Sequence, residues 1–497
     1  MKYRLLTLVA LVAILGWNGM TEAASAKKPN VLFIVSDDLN TYLGCYGDPR
    51  AKTPNIDKLA ARGVRFEKAY CTYPLCGPSR NSFLTGLYPN STGIQSNSQI
   101  FRQTIPSHIS LPQAFRRAGY LAVRIGKMYH YNVPKSIGTD GHDDPGSWEV
   151  EMNPAGVDRL EEEPMITTLT PGQFGGTLSW YASPKSDAHH TDGKIADDAE
   201  WVLERCAKKK DEPFFLAVGF FRPHTPYVAP KVPYYGWYPE KEMPVVQGVK
   251  EDQADLPPAA LGSYKKEQDK LTDDLRRQAL QGYYASISFM DAQVGKVISA
   301  LDRLGLADNT IIVFTSDHGY HMGEHGLWQK MSLFEGSTHV PLLMVAPGVS
   351  PKGAVVKTPV SQLDLYPTLT ELAGVKAPSN LQGQSLVPML KDVNTKGRGW
   401  ALTQVSRGGR ANQFFGYTLR TPRWRYTEWD EGKQGKELYD HDKDPQELTN
   451  LASLPEHAAT MAQLSKQMQE AVKTSLPPNG KTPEIREGMW APNLTDP

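Results

Sequence analysis

Val31-Leu32-Phe33-Ile34-Val35-Ser36-Asp37-Asp38 is the stretch on which the fold turns. Five consecutive apolar residues without polar alternation suit a strand covered on both faces, as in parallel α/β sheets. The run then breaks into Ser-Asp-Asp, and ligands of open α/β sheets bind beyond the carboxyl ends of the strands. A second strand-like run, residues 310–315, ends in the same manner at Ser316-Asp317-His318. An isolated Asp-Asp after a strand is usually a helix cap or a solvated turn. Two acidic strand ends in one sheet instead gather hard oxygen donors, the ligand type of Ca²⁺ and Mg²⁺.

Outward from these runs, short apolar strands alternate with helical patterns over the first two thirds of the chain, which predicts a parallel α/β sheet. Thr53 as N-cap and Pro54 at the first helical position open a helix that Gly63 closes. Residues 110–118 read as a helix, 120–125 as the strand after it, and 273–304 as a long helix. Residues 340–345 read as a further strand, and 362–372 as a helix that Pro367 would kink. From about residue 396, turns separate strand-like pieces at 400–405, 415–420, 424–429 and 437–440, as in a small antiparallel sheet. A helix over 456–473 follows, then a proline-rich tail expected to be loosely held. The long aperiodic stretches 137–193 and 228–262 are expected to wall a pocket.

Lys+Arg and Asp+Glu both number 54 in 497 residues, so the chain is neutral, which argues against a nucleic-acid partner. A polyanionic substrate would need a local basic pocket. Residues 1–26 read as a secretory signal peptide, with Lys2 and Arg4 before an apolar run and Ala24-Ser25-Ala26 as the cleavage site. That run is shorter than the roughly 20 residues a membrane span needs. The expected product is exported, secreted or periplasmic, with no stable membrane insertion. Four cysteines are too few for a disulfide scaffold, and the pairing of Cys45, Cys71 and Cys206 is open. Asn90 and Asn493 begin glycosylation triplets.

Between the two acidic strand ends lies Cys76-Gly77-Pro78-Ser79-Arg80, running into Asn81-Ser82-Phe83-Leu84-Thr85-Gly86. Cys76 is placed at the start of a helix through Leu84, with Gly86 at its end. A helix N-terminus favours negative charge and acidifies a thiol. Gly126-Lys127-Met128-Tyr129-His130 follows the 120–125 strand. Phe220-Phe221-Arg222-Pro223-His224-Thr225-Pro226 follows another apolar strand, and the prolines flanking His224 exclude helix. Taken singly, a Lys-x-x-His is usually an exposed pair, a histidine such as His224 a turn cap, and Lys330 a surface lysine.

Together these segments resemble the type I sulfatases. The long match at Thr315-Ser316-Asp317-His318-Gly319, Gly323-Glu324-His325-Gly326, Trp328, Lys330 and Thr338-His339-Val340-Pro341 is similar to the iduronate-2-sulfatase subgroup. Many other sulfatases carry Asn where His318 stands, and Ala122 stands where the family usually carries Ser or Thr. Glu437-Leu438-Tyr439-Asp440 with Asp444-Pro445 and Asn450-Leu451 resembles the family's C-terminal strand and turn.

The resemblance implies an alkaline-phosphatase-like α/β fold, a mixed but mostly parallel sheet flanked by helices, with a smaller C-terminal antiparallel-sheet subdomain. The implied division is a signal peptide at 1–26, a catalytic domain at 27–395 and a C-terminal α+β subdomain at 396–497. It implies that a formylglycine-generating enzyme converts Cys76 to 3-oxoalanine (Cα-formylglycine). One hydroxyl of the hydrated aldehyde attacks sulfur and expels the alcohol; deprotonation of the other ejects sulfate. The implied metal is Ca²⁺, with Mg²⁺ the alternative, held by Asp37, Asp38, Cys76, Asp317 and His318. Arg80 anchors the nucleophile and the carboxylates, Lys127 and Lys330 hold sulfate oxygens, His130 bonds a formylglycine hydroxyl and His224 faces the ester oxygen. The implied substrate is a sulfated carbohydrate, a uronate 2-O-sulfate of a glycosaminoglycan-like or other sulfated polysaccharide. The rivals are a phosphate or phosphonate ester hydrolase of the same superfamily and a non-catalytic binder of sulfated glycans.

Overall fold

The computed structural model describes residues 27–409 and 411–486. The expected leader at 1–26, the Asn493 triplet and the end of the tail lie outside them. Strand β1 (Asn30–Asp37) is buried at every position. Val31, Phe33 and Val35 pack into the core on one side of the sheet, Leu32 and Ile34 into the core on the other. That double covering is why the run is apolar without alternation.

The strands that join it are β2 (Val64–Tyr70), β3 (Leu121–Gly126), β4 (Val150–Met152), β5 (Phe214–Pro223) and β6 (Thr310–Ser316). They are followed by β7 (His339–Val345), β8 (Ala354–Val356) and β9 (Val360–Ser361). The nine-stranded sheet is ordered β8-β2-β7-β6-β1-β5-β3-β4, with β9 also on β2. Strand β7 runs against both of its neighbours. Strands β6, β1, β5 and β3 are adjacent and parallel, so their carboxyl ends open along one edge. In register, Ser36 stands opposite Ser316 and Asp37 opposite Pro223, which levels those ends.

The helices follow their caps. Pro54–Arg62 has Thr53 at its N-cap, but the Thr53 hydroxyl does not cap the helix: it accepts from Gly44 N and donates to Asp57. Leu111–Arg117 is closed by a reciprocal box between Ser110 and Gln113. The long helix is Asp273–Arg303, capped by the Thr272 hydroxyl. The kink expected at Pro367 does not form, because Pro367 lies in the first turn of Leu365–Ala373, where its missing N–H has no intrahelical partner to lose.

A separate four-stranded antiparallel sheet comprises Ala401–Arg407, Phe414–Arg420, Trp424–Trp429 and Lys436–Asp440. Helix Ala458–Ser475 covers it through Leu464, Met468 and Ala471. The described part of the tail is docked rather than loose, with Arg486 N donating to Gln103 O at 2.9 Å. Asn90 is buried and its side chain bonds Ser475 and Gln404, so the folded chain offers no acceptor there. All four cysteines are free, so none of the three left open is paired. Among the described residues, no helix is long and apolar enough to cross a membrane. The architecture is the mixed, mostly parallel, alkaline-phosphatase-like α/β sheet with its smaller antiparallel companion.

Candidate active site

Four adjacent strand ends deliver the site. Asp37 closes β1, with Asp38 next to it; Asp317 and His318 follow β6, His224 follows β5, and Lys127 and His130 follow β3. Cys76, in the segment after β2, is the first residue of helix Cys76–Thr85, whose C-cap Gly86 has φ 69°. The Cys76 sulfur lies 3.1 Å from Lys330 Nζ, 3.4 Å from His318 Nε2 and 3.9 Å from Asp38 Oδ1. The nucleophile candidate and the acidic strand ends therefore share one centre.

Asp38 has φ 62°, a left-handed conformation that costs a non-glycine residue on the order of 1 kcal/mol. Tyr283 Oη donates to the Asp38 carbonyl at 2.8 Å, and Asp38 N donates to Asp317 Oδ1 at 3.1 Å. These bonds hold the turn that aims the carboxylate at the sulfur. Arg80 is fully buried beneath, donating to Asp317 Oδ2 at 2.9 Å, Asp37 Oδ1 at 3.1 Å and the Lys127 carbonyl at 2.7 Å. One guanidinium thus ties β1, β3 and the segment after β6 together. Lys127 Nζ reaches Asp37 Oδ2 at 2.6 Å, and Lys330 Nζ reaches Asp38 Oδ1 at 2.6 Å.

Burial raises the Cys76 thiol, but Lys127, Lys330 and His318 more than reverse it, leaving it well below an ordinary cysteine. Burial pushes Asp37 up to about 6 against the pull of Lys127 and His224. Asp317 is also penalised by burial, yet Arg80 and His318 hold it below the usual carboxylate range. Burial lowers His318, but Asp317 raises it net to about 9. His130 is lowered by burial to about 4 despite the attraction of Cys76, so it is neutral at physiological pH.

The residues present fit a divalent cation. Donor atoms of Asp38, Cys76, Asp317 and His318 lie within 4.8 Å of one another, and so do those of Asp37, Asp38, Cys76 and His224. Asp38 Oδ2 is buried without a hydrogen-bond partner. The His318 Nδ1–Gly319 carbonyl bond, at 2.9 Å, fixes the ring and leaves Nε2 facing the carboxylates, as a metal-ligating histidine requires. A third such group, Glu335, His441 and Glu447, is distant in function, since Arg420 and Arg425 already neutralise its carboxylates.

Above the cluster opens a cavity of about 830 Å³ lined by Asp38, His130, His224 and Lys330. His224 bonds the Thr225 carbonyl through Nδ1 at 2.6 Å, which leaves Nε2 toward Asp38 Oδ2, 3.7 Å away. Arg80 and Lys127 do not line the cavity; they lie fully buried, paired with carboxylates. Of the basic side chains singled out in the sequence, only His130, His224 and Lys330 reach the cavity. Both aperiodic stretches contribute walls, through His142, Gly175 and Gly262. Lys265, Gln329 and Arg407 also line it, and sequence motifs pointed to none of the three. The one available signal was position: Gln329 adjoins Lys330, and Lys265 lies just past the second wall.

Comparison with known proteins agrees with this geometry. Residues 29–375 match the Sulfatase family model, and residues 323–474 match the family described as N-sulphoglucosamine sulphohydrolase, C-terminal. A sulfatase of Formosa agariphila is 36% identical over 441 residues, covering 86% of this chain and 83% of that protein. Iduronate 2-sulfatase of Mus musculus is 30% identical, covering 92% of this chain and 96% of that protein. The solved phosphonate monoester hydrolase of Agrobacterium radiobacter superposes with TM-score 0.75 at 26% identity, over 90% of this chain and 96% of that one. With a buried cysteine set among carboxylates and histidines at four parallel strand ends, and the match running through every segment that builds that site, the chain belongs to the sulfatase family and is a sulfuric-ester hydrolase.

Proposed function

We propose that the protein is an exported sulfatase acting on sugar sulfates, with a uronate 2-O-sulfate of a glycosaminoglycan-like or other sulfated polysaccharide as its substrate. The observation that carries the enzymatic part is the Cys76 sulfur among Asp38, His318 and Lys330. The sugar assignment is supported by His318 and by the similarity to iduronate 2-sulfatase along nearly the whole of both chains. In this reading residues 1–26 direct export to the periplasm or medium, 27–395 form the catalytic domain and 396–497 the C-terminal subdomain.

A formylglycine-generating enzyme acts on Cys76, and the aldehyde hydrate supplies two hydroxyls on one carbon, one for attack on sulfur and one for release of sulfate. Asp37, Asp38, Asp317 and His318 with residue 76 would hold Ca²⁺, or Mg²⁺ in its place, which would supply charge to polarise the sulfate oxygens. Binding would displace the proton that Asp317 holds on His318. Arg80 holds Asp37 and Asp317 in place and keeps Asp317 ionised. Lys127 and Lys330, whose ammonium groups stand at Asp37 and Asp38, supply the charge that grips sulfate oxygens. His130, neutral at physiological pH, accepts a hydrogen bond from a hydroxyl of residue 76. His224 faces the leaving sugar oxygen through Nε2 as general acid or sulfate ligand, its ring fixed by the Thr225 carbonyl.

A second reading is favoured by one observation, the fold similarity to a phosphonate monoester hydrolase. Parallel assays of the purified enzyme on aryl sulfate, aryl phosphate and aryl phosphonate separate the two. A kcat/KM highest on the sulfate supports the sulfatase reading; a higher value on either phosphorus ester overturns it.

A further inference from the structure

The cations at the catalytic centre are committed to carboxylates: Arg80 to Asp37 and Asp317, Lys127 to Asp37, Lys330 to Asp38. Two more cations line the same cavity, Lys265 and Arg407, and neither forms an ion pair among the described residues. Lys265 Nζ crosses the cavity wall to the Gly176 carbonyl. It lines the cavity together with Asp38 and Lys330, and burial lowers its ammonium below the ordinary lysine range. Arg407 is 7% exposed and donates to three backbone carbonyls: Ala259 at 2.9 Å, Met331 at 2.8 Å and Ser406 at 3.2 Å. A guanidinium buried to this degree ordinarily has a carboxylate partner. Gln329, 5% exposed, lines the cavity with its Nε2 lacking any hydrogen-bond partner. An unmet buried N–H is costly, and an acceptor arriving with a ligand would relieve that cost.

We propose that Lys265, Arg407 and Gln329 form an anion-reading subsite beside the sulfate position, so that the preferred substrate carries a second acidic group on the sugar. The shared chemistry is a fixed anion of carboxylate or sulfate type. Lys265 and Arg407 supply the charge and Gln329 a neutral donor. The assignment rests on the sulfatase reading above, and it names what that reading's substrate must present.

The test measures kcat/KM for a 2-O-sulfated uronic acid, a disulfated neutral hexose and a monosulfated neutral hexose. The enzymes are wild type, Lys265→Ala, Lys265→Arg and Lys266→Ala, the last an exposed neighbour outside the cavity. Wild type is expected to favour one doubly anionic sugar by about tenfold or more, the worth of one charge-assisted hydrogen bond. Lys265→Ala should cut that preference about tenfold, mainly through KM, while Lys265→Arg keeps most of it and Lys266→Ala all of it. Which sugar loses more identifies the second anion as carboxylate or sulfate. Wild type with no preference, an equal loss on all three sugars, or the same loss in Lys266→Ala would overturn the subsite while leaving the sulfatase reading intact. A wild type that cleaves none of the three but does cleave phosphorus esters would overturn that reading, and the subsite with it.

Discussion

Charge, more than packing, sets the behaviour of the Cys76 side chain, since Lys127, Lys330 and His318 outweigh the penalty of burying an ionised thiol. Replacing Cys76 by Ala should therefore abolish turnover while moving the melting temperature by no more than a few degrees, roughly 1 kcal/mol or less; calorimetry and an aryl sulfate assay check both halves. Asp317 is a different case, because it anchors Arg80 and offers an oxygen to the cation cluster. Asp317→Asn should lower bound metal per folded chain to well below one, measured by elemental analysis, and cost several kcal/mol by leaving Arg80 short of a partner. The residues of the centre were legible in the sequence because each sits in a short segment whose neighbours repeat a known pattern. Lys265, Arg407 and Gln329 were not. Among the described residues, Lys265 and Arg407 stand out by lacking a carboxylate partner and Gln329 by an unbonded amide nitrogen, and only the folded arrangement decides what a side chain fails to meet.

At the scale of elements, the continuous run at Val31–Val35 foretold a strand buried on both sides, and the helical patterns foretold the starts at Pro54, Leu111 and Asp273 to within a residue. The alternation of strands with helical patterns pointed to a mostly parallel sheet, but no local signal marked β7 as the strand that reverses, which appears only in the pairing. One inter-element joint makes a pH prediction. Burial raises Glu447, but Arg425 and His441 hold it net at about 2. Its folded value is depressed below the ordinary carboxylate value of about 4.3, so its contribution is fully present above that pH and fades as pH falls toward 2. Urea unfolding of wild type and Glu447→Gln should differ by a few kcal/mol at pH 7, and the gap should close between about pH 4.5 and pH 2. A gap that widens on acidification would refute the assignment of the joint.

The whole molecule places a neutral surface around a concentrated charge cluster, which is why composition alone pointed to no substrate. Its cavity is walled by segments from far apart in the chain, with Arg407 contributed by the antiparallel sheet. That sheet also shares apolar cores with the larger one: Tyr88 and Leu363 pack among its residues, and Leu327, Leu333 and Phe334 meet Val405 and Trp429. A chain cut after residue 395 should accordingly be insoluble or lack a cooperative unfolding transition, which expression followed by calorimetry would reveal. The account as a whole stands on the chemical state of one side chain. Trypsin releases residues 69–80 as a single peptide holding both Cys71 and Cys76, so Cys71 serves as an internal control. Mass spectrometry of that peptide from active enzyme, after thiol alkylation and carbonyl trapping, should find Cys71 alkylated and residue 76 as a trapped aldehyde. Two alkylated thiols in a preparation that fully hydrolyses sulfate esters would contradict it.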